Sequence, residues 1–416
     1  MNEKELIPHL FRTEYRKITA VLCKLFGIEN VNVAEDITGE TFLLALETWP
    51  YKGIPENPVA WLYAVAKNKA KNIVIRNQVF QNKITPLIQQ PDNGYEIEVD
   101  LSAKNIADSQ LQMLFAICHP SIPAEAQIGL ALRILCGFGI DEIANAFLTN
   151  KETINKRLFR AKEKLRAEMV AIEFPPEDGI GNRLQPVLTT LYLLFNEGYY
   201  SESRDTVLRN DLCLEAMRLT YMLVENKLTN QPDVNALLAL MCFQSSRFEA
   251  RKGEHGEMVL YDDQDESLWN RELITKGAYY LNLASKGDKL SKYHLEANIA
   301  YWYTIKDGPV EKWENILQLF NHLLMIAYSP IAALNRTYAL SKLRGNEAAI
   351  IAAEKLNLTT NHFYFTLLGE LYKDIDKEKA KENLVKALHL DKTKADKQII
   401  QNKLISLDDL KDQKPG

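Results

Sequence analysis

Long apolar runs, paired cysteines and clustered histidines are all missing from this 416-residue chain, and each absence removes a class of function. "ALLALMCF" (Ala236–Phe243) is among its longest apolar stretches, far short of the roughly 20 residues that cross a bilayer. MNEKELIPHL has no basic segment leading into an apolar one, so neither a signal peptide nor membrane association is expected. Five cysteines (Cys23, Cys118, Cys136, Cys213 and Cys242) lie far apart and form no CxxC pair, which argues against disulfides or zinc and for a reducing cytoplasm. The seven histidines, His9, His119, His255, His294, His322, His362 and His389, stand apart, none at metal-ligand spacing. No P-loop, dinucleotide fingerprint or GxSxG occurs. Cys118 in "CHP" has no evident activating partner, and "DDQDES" (Asp262–Ser267) lacks the glycine and glutamate spacing of a calcium loop. Asn196 and Glu197 in "FNEGYY" read as a polar core network or a small-ligand contact. The expectation is a chain with no catalytic residues, no metal and no cofactor.

What is present is segregated charge. The net charge is -5, yet residues 1–170 hold 20 basic and 20 acidic residues, so the whole imbalance lies beyond them. Within that neutral front part, "LTNKETINKRLFRAKEKLR" (Leu148–Arg166) carries seven basic residues in nineteen. The balancing acids gather in "AEDITGE" (Ala34–Glu40) and "PDNGYEIEVDLS" (Pro91–Ser102). Such separation suits a localised contact with a polyanion.

Periodicity reads as helix almost throughout, and strand-like alternation is confined to Tyr95–Leu101. Proline and glycine punctuate Trp49–Pro58 and Glu173–Asn182. These breaks organise the chain into residues 1–81, an acidic linker 82–107, residues 108–170, a linker 171–183, and a long helical series 184–416. A cut in Glu173–Asn182 is expected to spare the folds on both sides. In Phe365–Asp391, Leu368, Gly369 and Tyr372 followed by Ala380, Leu384 and Ala387 approach the tetratricopeptide pattern, and Ser329–Leu356 reads as another helix pair. The fold class expected is all-α.

Gly137–Arg166 carries the sharpest signal. "IDEIANAF" forms one short helix with Ile143, Ala144 and Phe147 inward, and Thr149 with Glu152 makes a capping box for the next. On that second helix Ile154, Leu158, Ala161 and Leu165 recur at helical spacing, opposite a charged face. This is a helix-turn-helix whose basic second helix would enter a major groove. Lone basic helices are more often solvated faces; here the cap, turn and partner helix agree.

The stretch Gly137–Arg166 resembles region 4 of the sigma-70 family, in particular the extracytoplasmic-function sigma factors. "VAEDITGETFLLALETWP" (Val33–Pro50) is similar to region 2.2, and "NPVAWLYAVAKNKAKNIVIRNQ" (Asn57–Gln78) to regions 2.3–2.4. Cys118–Arg133, Leu191–Ser203, Leu237–Arg251 and Asp262–Ile274 resemble the subgroup with a C-terminal tetratricopeptide-like extension. The resemblance covers nearly the whole chain, departing at Gly39, where the family commonly has glutamine. It implies a non-catalytic polymerase subunit built of a region 2 bundle, a region 4 helix-turn-helix bundle and a helical-repeat extension. Asp36, Glu40 and Phe42 would meet the β′ clamp of core RNA polymerase. Trp61, Tyr63, Lys67, Asn68, Lys71, Asn72 and Arg76 would engage the minus-ten element of promoter DNA. Lys151, Glu152, Thr153, Asn155, Lys156, Arg157, Arg160 and Lys164 would read the minus-35 element. The acidic linker would pass through the polymerase channel.

The residues support this independently. Opening a duplex needs aromatic surfaces and cations, and Trp61 and Tyr63 stand close to Lys67, Lys69, Lys71 and Arg76. Asp36 and Glu40, at i and i+4, share one helical face. The alternatives are a helix-turn-helix regulator with a helical-repeat sensor, and a repeat scaffold whose basic helix is incidental. The acidic extension is expected to act in cis or through a protein partner.

Overall fold

A computed structural model describes residues 3–84, 99–147, 149–199, 206–251, 253, 259, 261–309, 311–390 and 394–409. Eighteen α-helices and no strand occur among them, so the protein is all-α. Most of the Tyr95–Leu101 alternation lies outside the described residues. The chain divides into two compact units, Met1–Thr229 and Asn230–Gly416.

The first unit opens with α1 (Glu3–Phe26), α2 (Val31–Lys52) and α3 (Pro58–Ile84). Gly27, at φ +82°, ends α1 and donates its N–H to the Cys23 carbonyl (2.9 Å), in a conformation side chains resist. Ala34, Ile37, Thr38, Thr41, Phe42 and Ala45 bury one stripe of α2, as a 3.6-residue period dictates. Thr38 and Thr41 donate their hydroxyls to the Ala34 and Ile37 carbonyls (2.7 and 2.8 Å), so neither enters the core unpaired.

Next come α4 (Ala103–Ile117), α5 (Ala124–Leu130) running into a π turn (Ala131–Leu135), α6 (Ile140–Ala146) and α7 (Lys151–Ala167). From Ser109 to Ile117 every residue of α4 but Gln112 is buried. A helix apolar all round must be covered on every side. Helix α1 covers one side of α4, and α8 (Ile180–Tyr199) and α9 (Thr206–Glu225) cover others. Arg183 donates to the Phe115 carbonyl (2.9 Å), Thr190 to Gln127 Oε1 (2.7 Å) and Arg218 to the Leu135 carbonyl (2.9 Å). The compact unit therefore continues past the 171–183 stretch, and a cut at Glu173–Asn182 would strip α4 and α5 of their cover. This differs from the expectation that both neighbouring folds would survive it.

The second unit contains α10 (Pro232–Ser245), α11 (Arg271–Ala284), α12 (Lys292–Trp302), α13 (Glu311–Ile326), α14 (Pro330–Arg344), α15 (Asn346–Leu356), α16 (His362–Tyr372), α17 (Lys377–Leu390) and α18 (Lys394–Asp409). Helices adjacent in sequence pack on one another from α10 to α18. In the α16–α17 pair, Leu368 and Tyr372 are buried with Ala380, Leu384 and Ala387. A Cβ placed on Gly369 would lie 2.6 Å from Leu384 Cγ and 3.3 Å from the Ala380 carbonyl oxygen. Gly369→Ala is expected to cost about 1–3 kcal/mol through overpacking, read as a lowered midpoint in denaturant unfolding. An unchanged midpoint would show that the pair has room to spread.

The residues that hint at chemistry in this unit are hydrogen-bonded within it. Asp262 accepts hydrogen bonds from Tyr338 Oη and Lys342 Nζ (both 2.9 Å), and Asp265 accepts from the Ser267 N–H (2.8 Å). Buried Lys312 donates to Tyr261 Oη (2.8 Å) and the Ile305 carbonyl (2.6 Å), and burial holds its pKa below the usual lysine value. His294 Nδ1 accepts from the Ser291 N–H (3.2 Å), which leaves Nε2 to donate to the Ala284 carbonyl (3.2 Å).

Candidate nucleic-acid interface

Helix α7 is capped by Asn150, whose Oδ1 accepts the Thr153 N–H (2.8 Å). The cap is thus one residue later than the Thr149–Glu152 box anticipated from sequence. The reciprocal glutamate contact occurs instead on α6, where Glu142 accepts the Gly139 N–H (2.7 Å). Ile154, Leu158, Ala161 and Leu165 are all buried, anchoring α7 by one stripe. Opposite them Glu152, Thr153, Asn155, Lys156, Phe159 and Arg160 face solvent.

The cations of α7 divide into committed and free. Lys151 pairs with Asp141 (2.6 Å), Lys164 with Glu168 (2.8 Å) and Arg166 with Glu163 (3.7 Å). Arg157 pairs with Glu125 (2.9 Å) while its guanidinium lies 5.4 Å from the Phe147 ring centroid. Lys156 and Arg160, one turn apart, make no ion pair among the described residues. Two uncompensated cations on an exposed helix face are available to a phosphate backbone.

On α3 the aromatic residues point inward. Trp61 is half-buried edge-on against Trp49 (5.3 Å between centroids). Tyr63 donates its hydroxyl to Glu14 Oε2 (2.6 Å), and burial together with that carboxylate raises its pKa. The exposed face carries Asn68, Asn72 and Arg76 at four-residue spacing, bordered by half-buried Lys67 and Lys71. This face offers amide and cationic groups; the two aromatic side chains brace it.

On α2, Asp36 and Glu40 are exposed, and Glu40 accepts an ion pair from Lys69 of α3 (2.6 Å). Phe42 is only 3% exposed and packs edge-on against Phe11 (5.1 Å), so its side chain lies off the Asp36–Glu40 face. Gly39, between the two acids, has nothing within 4 Å of where a Cβ would stand, so a longer side chain would fit.

The structure adds residues that sequence reasoning passed over. Glu35 accepts from Arg133 Nε (2.8 Å) and Lys162 Nζ (2.7 Å), and Lys162 also donates to Asn32 (2.9 Å). Arg16 of α1 pairs with Glu215 of α9, which also accepts from Arg218 (2.8 Å). Asn32 and Glu35, at i and i+3, share a helical face, and that is all the sequence offers; their partners lie about a hundred residues away or more. The cysteines Cys23, Cys118, Cys136, Cys213 and Cys242 are all buried, and burial raises the Cys118 thiol to about 12. No group of three or more His, Cys, Asp or Glu residues suited to a metal occurs among the described residues, and no described helix is long and apolar enough to cross a membrane.

Residues 183–285 match a family of unknown function (DUF6596). That match begins in α8 and ends just after α11. An uncharacterized protein of Rhizobium meliloti (strain 1021) is 34% identical over 352 residues, 83% of this chain and 83% of that protein. No solved structure matches the chain.

Proposed function

The chain belongs to one family with the Rhizobium meliloti protein, and we propose that it is a sigma subunit, a non-catalytic factor that directs core RNA polymerase to promoters. On this reading α1–α3 form the region 2 bundle, α4–α7 the region 4 bundle, and α10–α18 a tetratricopeptide-like array. The observation that carries the proposal is the free Lys156–Arg160 pair on the exposed face of α7, opposite a fully buried stripe. It is supported by the exposed Asn68, Asn72 and Arg76 face of α3 upstream. A plain helix-turn-helix regulator has no need of that second face or of the Asp36–Glu40 stripe on α2.

Lys156, nearer the start of α7, would reach base edges; Arg160 would hold phosphate. Lys156→Ala is expected to weaken binding of the cognate promoter by about 1–3 kcal/mol and to relax specificity there. Arg160→Ala should weaken binding on every duplex and lower the salt slope by about one unit. Fluorescence anisotropy across a salt series reads both. If both variants bind and support run-off transcription like the parent, α7 is not the recognition helix.

A further inference from the structure

Between α10 and α14 the second unit gathers polar groups that its own fold leaves unanswered. Arg247 follows α10, two short 3-10 helices (Tyr261–Asp263 and Glu266–Leu268) precede α11, and Tyr303 and Lys306 lie in the connection from α12 to α13. Tyr261 is their meeting point. The Arg247 guanidinium carbon stands 5.6 Å from the Tyr261 ring centroid and 5.7 Å from that of Tyr303. Trp269 stacks on Tyr261 (6.5 Å between centroids), and the Gln264 N–H donates to the Tyr261 carbonyl (3.3 Å). The Asn270 N–H donates to the Ser246 carbonyl (2.8 Å), tying the segment of Trp269 to that of Arg247.

Three of these side chains are buried without a full set of partners. Arg247, Gln264 and Trp269 are 9%, 4% and 3% exposed, and Arg247 Nε, Gln264 Oε1 and Trp269 Nε1 have no hydrogen-bond partner. Gln264 Nε2 donates to the Val259 carbonyl (3.3 Å), which orients the amide and leaves Oε1 as the open acceptor. Arg247 makes no ion pair among the described residues, and a guanidinium cannot shed its proton to escape the cost of burial. Lys312, 2% exposed, meets only the Tyr261 hydroxyl and the Ile305 and Lys306 carbonyls, so a second buried cation also lacks a carboxylate. Stacking on aromatic rings returns about 0.5–2 kcal/mol, whereas each buried polar group left unpaired costs about 1–3 kcal/mol, and more when charged. The cluster is a net cost to the folded unit, as a site kept ready for a ligand would be.

We infer that Arg247, Trp269 and Gln264 form a binding site for a small zwitterion of the α-amino acid type. The ligand carboxylate would take the Arg247 guanidinium and the Trp269 indole N–H, and its ammonium would donate to Gln264 Oε1. A simple anion answers the two donors and leaves the acceptor unfilled. A simple cation does the reverse and meets Arg247 and Lys312 as like charges. The surrounding charges suit a ligand that carries both signs. Burial pushes the Tyr261 phenol up to about 12, with Arg247 opposing and Asp262, Glu266 and Asp307 adding to the rise, so both signs of charge act at that ring. Asp262 is held by Lys342 and Tyr338 (both 2.9 Å), and Glu266 lies 3.9 Å from Arg271. Asp307 is exposed and makes no ion pair among the described residues, so a carboxylate remains open to the ammonium. Asp262, Asp263 and Leu268 are also exposed, so water reaches the edge of the cluster. The site lies wholly within the second unit and does not depend on the promoter reading.

The test titrates the full chain with each common L-amino acid, and with acetate and methylammonium as probes of a single charge. Thermal unfolding reads stabilisation. The labelled indole N–H resonance of Trp269, one of five tryptophans and assigned through Trp269→Phe, reads the site itself. At least one amino acid should raise the melting midpoint of the parent and move the Trp269 resonance, at a concentration where acetate and methylammonium do neither. Arg247→Met keeps the apolar stem and should weaken that ligand about 10-fold or more, because a charged hydrogen-bond partner is lost. Gln264→Leu, which also serves if Arg247→Met fails to fold, should lose the preference for the amino acid over acetate. A parent that responds to no amino acid at millimolar concentration would mean that permanent water serves these groups, and the site would be overturned. An amino acid that acts equally on the parent and Arg247→Met, or one that acetate matches, would overturn it as well.

Discussion

A chain ending at Ile172 is expected to lose cooperative folding, whereas a chain ending at Thr229 keeps it. The reason is α4. Its residues Leu111, Met113, Leu114, Phe115, Ala116 and Ile117 are buried on all sides of the helix, and α1 can cover only one side. Helices α8 and α9 pack against α4, and their Leu184, Leu188, Leu191, Leu212, Leu219 and Leu223 are buried. Removing them also leaves the Phe115 and Leu135 carbonyls without the Arg183 and Arg218 donors. Each large apolar side chain returned to water costs about 1.5–3 kcal/mol, so re-exposing about five consumes the roughly 5–15 kcal/mol that stabilises a typical domain. Size-exclusion chromatography and thermal circular dichroism check it. A sharp melting transition in residues 1–172, matching that of 1–229, would mean that α4 repacks without α8 and α9.

This outcome bears on any account of the extension as a regulator. Loss of activity on truncation at residue 172 would report an unfolded bundle rather than a lost signal. The informative truncation lies after Thr229, where the first compact unit ends. If residues 1–229 direct transcription as the full chain does, α10–α18 do not regulate it.

Much of the helical pattern could be read directly because it is local. The stripe Ile154, Leu158, Ala161 and Leu165 follows from spacing alone, and all four are buried. The Leu368–Tyr372 and Ala380–Ala387 pair was legible for the same reason, small residues marking where two helices approach. The start of α7 was misplaced by one residue because Thr149 and Asn150 are both good caps; side-chain geometry chooses Asn150. The facing of Trp61, Tyr63 and Phe42 was not legible. Trp49, Glu14 and Phe11 draw them inward from distant positions, and a single periodic pattern does not name its partner. The all-apolar α4 shows the same limit: its composition demands cover on every side without saying which helices provide it. Glu35 and Lys162 lie 127 residues apart, and nothing local couples two ordinary charges at that separation.

Reversing the acidic stripe of α2 is the sharpest challenge to the proposed polymerase contact. Asp36 and Glu40 lie one turn apart on the solvent face. Leu43, Leu46 and Tyr51 are exposed further along the helix, Tyr51 by 89%. Apolar side chains left in water beside a charged stripe suit a partner surface. Among the described residues, the stripe's only ion pair is the exposed Glu40–Lys69 contact, and exposed pairs contribute about 0–1 kcal/mol. Asp36→Lys with Glu40→Lys should therefore leave the helix content unchanged and lower stability only slightly. Against a basic surface the effect is much larger, because two attractive contacts become repulsive, at a cost of several kcal/mol on the order of a hundredfold or more in affinity. The double variant is expected to lose co-purification with core RNA polymerase and run-off transcription together. Its random-duplex binding through α7 should persist, since Lys156 and Arg160 lie on another helix. Recovery of core polymerase equal to the parent's would remove the α2 stripe from the interface. Loss of duplex binding as well would point to a damaged bundle, which the circular dichroism of the same sample would reveal.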